Sequence, residues 1–126
     1  MMNPSEWLIL VVEDEFDSIQ MLSKILTHYG ARVEVAKSGF ECLKVLESHT
    51  PTLIIMDLAL PGMDGWETLE KIRQNPKTAH LPVVVITAYH SPSVAEDAHH
   101  AGFNAYLPKP LDTKAFVHQL SGVIDM

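Results

Sequence analysis

The sequence predicts an α/β domain in which a parallel β-sheet carries helices on both faces. Short apolar runs alternate with segments of helical period, and the connections between them are short. Most of the apolar runs are apolar at every position, which is typical of strands buried on both faces. Strict alternation of strand and helix favours a parallel sheet, because each helix returns the chain to the same end of the sheet.

The apolar runs define the predicted strands, which cover 7–12, 32–36, 52–56, 81–87 and 105–108. The second run, "RVEVA", differs because polar and apolar residues alternate along it. Such alternation is typical of a strand with one exposed face. We therefore expect this strand at an edge of the sheet.

The segments of helical period define the predicted helices, which cover 17–30, 38–49, 64–75, 91–102 and 112–124. Ser38, Asp64 and Ser91 are placed to cap the second, third and fourth helices. Gly30 and Gly102 are placed to end the first and fourth. The apolar spacing predicts that the following residues face the core: Ile19, Leu22, Ile25, Leu26, Phe40, Leu43, Leu46, Trp66, Leu69, Ile72, Phe116 and Leu120.

These elements give a (βα)5 doubly wound sheet, for which we predict the flavodoxin-like strand order 2-1-3-4-5. Right-handed crossovers leave few other topologies. This order puts the alternating strand at an edge and the first and third strands side by side. Sheets of this kind bind ligands beyond the carboxyl ends of their strands, where the order reverses.

Composition excludes several classes of protein. The chain has 126 residues, which predicts a single domain over 1–126, and its net charge of -7 argues against nucleic-acid binding. Its first residues do not form a signal peptide, and no stretch approaches the roughly 20 apolar residues of a membrane span. The single cysteine, Cys42, excludes an internal disulfide and favours a cytoplasmic location.

Charged and polar residues follow four of the predicted strands directly. The acids 13–15 follow the first strand and Asp57 the third, while Thr87 ends the fourth and Lys109 follows the fifth. Because the carboxyl ends of parallel strands meet at one edge, and neighbouring strands lie about 4.8 Å apart, these side chains should converge. Taken singly, the acids could merely cap a helix, Thr87 could be an ordinary strand residue and Lys109 a solvated loop residue.

The combination predicts a divalent-cation site with a nucleophilic aspartate. Mg²⁺ prefers oxygen ligands and commonly takes one or two carboxylates, and Lys109 supplies a charge suited to a phosphate or carboxylate. Asp57 is the predicted nucleophile, and phosphoryl transfer is the matching chemistry. The histidines show no metal-ligand spacing, so we interpret them as surface residues.

At these residues the sequence resembles the receiver domain of response regulators in two-component signalling. The segments "VVEDE", "IIMDLALPGMDG", "VVVITAY" and "YLPKP" carry the resemblance, which extends from about Leu8 to Ile124. It implies that Asp57 accepts a phosphoryl group from a phosphohistidine of a histidine kinase or histidine phosphotransfer protein. It also implies that the protein is not a turnover enzyme and catalyses only its own phosphorylation and the slow hydrolysis of the aspartyl phosphate.

The resemblance further implies a ligand set for Mg²⁺, or Mn²⁺ in its place. Asp14 and Asp57 would bind the ion directly, the backbone carbonyl of Ala59 would be a third protein ligand, and Glu13 would act through a water. Many members have two aspartates where this chain has Glu13 and Asp14, and we expect the longer side chain to change affinity little.

Other residues acquire switching roles by the same resemblance. Thr87 would hydrogen-bond the phosphoryl oxygens, Lys109 would pair with them, and Tyr106 would change rotamer, although a tyrosine taken alone is more often a core residue than a switch. The Lys109–Pro110 bond is cis in the family. A downstream protein would bind the face formed by the fourth helix, fifth strand and fifth helix, and the chain would be a monomer or a phosphorylation-dependent dimer.

Ala59 and Tyr89 occupy positions that tune hydrolysis of the aspartyl phosphate in the family. Ala59 has no side chain to orient water and Tyr89 could shield the phosphate, so we expect a long-lived phosphorylated form. Because the fifth helix ends near the chain terminus, we expect output through protein contacts, or a receiver excised from a larger protein.

Other functions fit the sequence less well. A phosphatase of the haloacid-dehalogenase type needs a second aspartate two residues after the nucleophile, where this chain has Ala59. Dinucleotide binding needs a glycine-rich motif after the first strand, which is missing. A phosphate-independent interaction module of the same fold remains an alternative, but it would not require the acidic residues.

Overall fold

The computed structural model describes residues 2–88 and 91–126, which form a five-stranded parallel sheet in the order β2-β1-β3-β4-β5. The strands are β1 (Leu8–Val12), β2 (Arg32–Ala36), β3 (Leu53–Met56), β4 (Val83–Thr87) and β5 (Ala105–Pro108). The helices are α1 (Phe16–His28), α2 (Gly39–Leu46), α3 (Gly65–Gln74), α4 (Pro92–Ala101) and α5 (Phe116–Ile124), and a short 3₁₀ helix covers Pro4–Glu6. The predicted flavodoxin-like α/β fold and strand order are confirmed, with β2 at an edge.

Three of the helices begin at the predicted capping residues. The Ser38 side chain accepts from the backbone N–H of Glu41, and Asp64 Oδ1 accepts from that of Glu67 at 2.9 Å. Ser91 caps α4 in the same way, and Gly102 ends that helix with φ of 107°, a conformation that favours glycine. These local signals determine the first residues of α2, α3 and α4 and the last residue of α4.

The last helix begins later than the sequence predicted. Its first helical residue is Phe116 rather than one next to Asp112. Asp112 Oδ1 accepts hydrogen bonds from the backbone N–H groups of Lys114 and Ala115, at 3.1 and 3.3 Å. The aspartate therefore closes a separate turn, and the helix follows it.

Two apolar clusters sandwich the sheet. The cluster on one face gathers residues of α2, α3 and α4, and the cluster on the other face gathers residues of α1 and α5. The strands supply alternate side chains to each face; Leu10 and Val12 of β1, for example, point to the first cluster and Ile9 and Val11 to the second. This double burial explains the continuously apolar strand sequences.

One predicted core residue faces solvent instead. Phe40 is 64% exposed and lies against Gly62, whereas Cys42 is fully buried on the inward face of α2. The reason is a close approach between α2 and α3, where a Cβ on Gly39 would collide with the Thr68 hydroxyl. Contact at Gly39 rotates the neighbouring Phe40 outward, because adjacent helical residues lie about 100° apart.

The register aligns the strand ends that carry the polar residues. Val12 of β1 pairs with Met56 of β3, so Glu13 and Asp57 leave the sheet at the same level. On the other side, Thr87 of β4 pairs with Pro108 of β5, which places Lys109 one residue beyond the edge. Within the described ranges, no helix has both the length and the apolar character needed to cross a bilayer.

Candidate functional site

A cleft of about 420 Å³ opens at the carboxyl edge of the sheet. It is lined by residues that follow or end β1, β3, β4 and β5: Glu13, Asp14, Glu15, Asp57, Ala59, Thr87, Ala88 and Lys109. All the strand-end residues predicted from the sequence to converge are therefore brought to one cavity.

Asp57 is held at the end of β3 by backbone contacts on both sides. Its N–H donates to the carbonyl of Val12 at 3.1 Å, which extends the pairing with β1 by one residue. Its Oδ1 accepts from the N–H of Ala59 at 3.1 Å. A Cβ on Gly65 would lie 2.6 Å from the Asp57 carbonyl oxygen, so only glycine allows α3 to begin this close to the strand end.

Lys109 compensates the negative charge of the carboxylate that follows the buried strand β3. Its Nζ lies 3.1 Å from Asp57 Oδ2 and 2.8 Å from Glu13 Oε1, and it also donates to the hydroxyl of Ser18 at 3.3 Å. An ammonium has three N–H donors, and here each has an acceptor. The Lys109 backbone N–H donates to the carbonyl of Thr87, which anchors the residue beyond β5. The Lys109–Pro110 bond is cis, as the resemblance implied.

Glu13 is the most buried acid of the cleft, with 3% of its surface exposed. Its Oε2 accepts from the backbone N–H groups of Asp14 and Glu15, at 3.1 and 3.3 Å. Burial raises the pKa of Glu13, and the negative charge of Asp57 raises it further, against the hydrogen bond from Lys109. Both carboxylate oxygens of Glu13 thus accept hydrogen bonds, which fixes the orientation of its side chain.

Lys109 keeps its charge in this setting. Burial alone lowers the pKa of Lys109, but the hydrogen bonds to Glu13 and Asp57, together with their charges, outweigh it and leave the pKa above the ordinary lysine value. One ammonium faces two carboxylates at hydrogen-bond distance, and Asp14 adds a third, more exposed carboxylate to the same cleft. The cleft therefore retains an excess of negative charge.

The proposed switch residues lie on neighbouring strands. Thr87 is fully buried at the end of β4 and lines the cleft. Tyr106 is half-buried on β5, pairs in register with Val85 of β4 and packs on the cluster of α2, α3 and α4. Tyr89 lies outside the described residues. The switching roles of Thr87 and Tyr106 and the effect of Ala59 on phosphate lifetime stay predictions.

The donor set of the cleft fits a hard divalent cation. Carboxylates of Asp14, Asp57 and Glu13 and the backbone of Ala59 supply only oxygen donors, which is the chemistry that Mg²⁺ prefers. Across residues 2–88 and 91–126, no three His, Cys, Asp or Glu side chains are already arranged as a metal cage. Mg²⁺ usually retains several waters and needs only one or two carboxylates, so the predicted ligand set stays compatible with the cleft.

Sequence reasoning missed one residue of the site. Ser18 lies on the first turn of α1, is 8% exposed and contacts Lys109. Its only sequence signal is its place on the inward face of the helix that follows the acids, and a small polar residue there has many ordinary explanations. The contact between Ser18 and Lys109 follows only from the relative positions of α1 and the end of β5 in the folded chain.

Comparisons with known proteins agree with this arrangement. A family model described as the response regulator receiver domain matches residues 9–121. An uncharacterized 14.6 kDa protein of Leptolyngbya boryana is 41% identical over 104 residues, which are 82% of this chain and 79% of that protein.

Solved structures superpose closely. A protein from Chloroflexus aurantiacus, considered a response regulator, superposes with a TM-score of 0.90 at 32% identity, over 95% of this chain and 98% of the other. The receiver domain of the sensor histidine kinase PA1611 from Pseudomonas aeruginosa superposes with a TM-score of 0.87 at 28% identity, over 95% and 98% of the two chains. That structure has a magnesium ion coordinated in its active-site cleft.

Proposed function

The chain belongs to the response regulator receiver domain family, and from this premise we propose that it is a phosphoacceptor switch of a two-component phosphorelay. The observation that carries the proposal is the cleft in which Asp57 lies beside Lys109, with Glu13, Asp14 and Thr87 lining the same cavity. The donor would be a phosphohistidine on a histidine kinase or phosphotransfer protein. The proposed setting is the cytoplasm.

The proposed reaction is a phosphoryl transfer between side chains. A carboxylate oxygen of Asp57 attacks phosphorus, and a P–O bond forms as the P–N bond of the phosphohistidine breaks. The electron pair of that bond stays on the imidazole nitrogen, which leaves with the donor protein. Phosphoryl transfer needs positioning and charge compensation rather than covalent help, and both are available in this cleft.

Each residue of the cleft has a distinct proposed task. Mg²⁺ or Mn²⁺ would be held by Asp14, Asp57 and the carbonyl of Ala59, with Glu13 acting through a water. When bound, the ion would offset the charge of the phosphoryl oxygens. The Lys109 ammonium lies 3.1 Å from Asp57 Oδ2, so it can form an ion pair with a phosphoryl group on Asp57. Thr87 can donate its hydroxyl to a phosphoryl oxygen.

The proposed output is a shift between two conformations. A phosphoryl group adds charge and strong acceptors beside Asp57, and Thr87 moves toward it. Tyr106, on the strand next to Thr87, then turns inward and changes the face formed by α4, β5 and α5. A downstream protein would bind this face, and the chain would act as a monomer or a phosphorylation-dependent dimer.

Incubation with Mg²⁺ and acetyl phosphate tests the proposal. Intact-mass spectrometry should show the gain of a single phosphoryl group, which Asp57→Asn abolishes. Asp97→Asn is a matched control, because Asp97 is an exposed aspartate on α4 and should label like the parent chain.

Two results would overturn the proposal. Equal labelling of Asp57→Asn would remove Asp57 from the role of phosphoacceptor. Continuous release of phosphate from an organic ester, without accumulation of the labelled protein, would instead indicate a phosphatase.

A further inference from the structure

Ser18 connects α1 to the lysine of the cleft. The residue lies in the first turn of the helix and is 8% exposed. Its hydroxyl accepts a hydrogen bond from Lys109 Nζ at 3.3 Å and donates one to Glu15 Oε1 at 3.1 Å. The hydroxyl is thus used as acceptor and donor at once, and its direction is set by Glu15.

Lys109 contacts residues whose elements are not its neighbours in the sheet order. Its backbone follows β5, whereas Glu13 follows β1, which is separated from β5 by β3 and β4, and Ser18 belongs to α1. A lysine side chain loses rotamer entropy when its ammonium is held at one point, so holding it there requires several contacts. The three acceptors Glu13, Asp57 and Ser18 surround the ammonium and supply them.

The three acceptors differ in what else they are proposed to do. Glu13 and Asp57 are carboxylates that the proposed function also assigns to a cation and to the phosphoryl group. Ser18 is neutral and has neither task, so its contact with Lys109 can persist while the carboxylates are engaged. Because the hydroxyl is also held by Glu15, it presents a fixed acceptor to the ammonium.

We propose that Ser18 is a positioning residue that holds the Lys109 ammonium beside Asp57 in the phosphoacceptor cleft. Its effect on phosphorylation rests on the proposed function, whereas its hold on Lys109 does not. An ordinary role as a buried helix residue, satisfied by Glu15 alone, is the alternative. The two roles differ in what happens to Lys109 when the hydroxyl is removed.

The first experiment measures the reactivity of Lys109 in the metal-free protein. An N-hydroxysuccinimide ester of acetate is added for short times, and peptide mapping gives the acetylation rate of Lys109 relative to the exposed Lys114. Ser18→Ala should raise this ratio about fivefold, since a hydrogen bond to a charged group is lost. Ser18→Thr keeps a hydroxyl and should restore the parent ratio. Ser23→Ala, on the same helix and away from the cleft, should leave it unchanged.

The second experiment measures phosphorylation by acetyl phosphate at saturating Mg²⁺. Ser18→Ala should lower the maximal labelling rate about fivefold, with little change in the acetyl phosphate concentration that gives half that rate. Ser18→Thr should recover most of the loss. A parent rate in Ser18→Ala would overturn the positioning role in phosphorylation.

The two readouts separate the inference from the function. If the parent chain takes up no phosphoryl group, the proposed function fails, and the acetylation ratio still decides whether Ser18 holds Lys109. An unchanged ratio in Ser18→Ala overturns the inference. A rise at Lys109 and Lys114 alike would indicate general loosening and would also overturn it.

Discussion

At the scale of single residues, charge compensation explains how acids are kept in a partly apolar setting. Glu13 is almost fully buried, and leaving such a carboxylate without a partner would cost several kcal/mol, so Lys109 at 2.8 Å is required. The same ammonium reaches Asp57, whose second oxygen is held by a backbone N–H. One lysine thus orders two carboxylates and still leaves the cleft negative.

Cys42 gives a residue-scale prediction that concerns pH. Burial raises the pKa of the Cys42 thiol to about 12, against 9.0 for an ordinary thiol. Between these values the unfolded chain releases the proton and the folded chain keeps it, so stability is present below pH 9 and is lost as pH rises toward 12. The contribution falls by up to about 1.4 kcal/mol per pH unit in this range.

Urea unfolding measured from pH 9 upward checks this expectation. Cys42→Ala removes the thiol, so its stability should decline with a shallower slope than that of the parent chain, although its absolute stability is lower. Identical slopes would mean that the thiol titrates alike in the folded and unfolded chains, which is incompatible with full burial.

At the scale of elements, the sequence predicted most of the architecture because its signals are local. Strand ranges followed from apolar runs, and the caps Ser38, Asp64 and Ser91 followed from residue type and position. Two expectations were wrong. The separate turn at Asp112 delays α5, and the approach of Gly39 to Thr68 turns Phe40 outward. The first contact is local, but an aspartate that closes a turn and one that caps a helix have the same sequence signal. The second contact joins two helices and has no signature within a short window of sequence.

Arg73 gives a prediction about how elements are joined. This partly buried arginine of α3 donates to four oxygens of the chain: the carbonyls of Ala79, Leu81 and Gly102 and the side chain of Asn104. It therefore ties α3 to the entry of β4, the end of α4 and the start of β5. A lysine cannot reproduce this planar fork, so Arg73→Lys should lower the free energy of unfolding by about 2 kcal/mol.

Chemical denaturation measures this loss. Arg32→Lys makes the same substitution at an exposed arginine of the edge strand β2 and should change stability by less than about 0.5 kcal/mol. If both variants lost the same amount, the hydrogen bonds of Arg73 would contribute nothing specific.

At the scale of the whole molecule, parallel topology makes the site predictable. Residues far apart in sequence, such as Glu13, Asp57 and Lys109, meet because each directly follows a strand and all strands end at one edge. Ser18 could not be predicted in this way, because strand order does not place a residue of a helix. Its contact with Lys109 also depends on the length and conformation of the lysine side chain. Topology predicts which chain positions converge, whereas the contacts that a long side chain makes follow only from the three-dimensional structure.

The excess negative charge of the cleft leads to a prediction for the stability of the whole chain. Glu13 and Asp57 share a single ammonium and Asp14 lines the same cleft, so a divalent cation that binds only the folded chain should stabilise it by mass action. At a tenfold excess of Mg²⁺ over its Kd this amounts to about 1.4 kcal/mol. For a domain of this size the melting temperature should rise by about 5 °C, and a chelator should reverse the rise.

Matched variants locate the cation within the molecule. Asp57→Asn and Asp14→Asn each remove one charge from the cleft and should lose most of the rise in melting temperature, whereas Asp97→Asn on α4 should retain it. Sodium chloride at the same ionic strength should not reproduce the effect, because screening acts on all surface charges alike. An equal rise in Asp57→Asn would place the ion elsewhere on this acidic chain. The cleft would then have to balance its carboxylates with Lys109 alone.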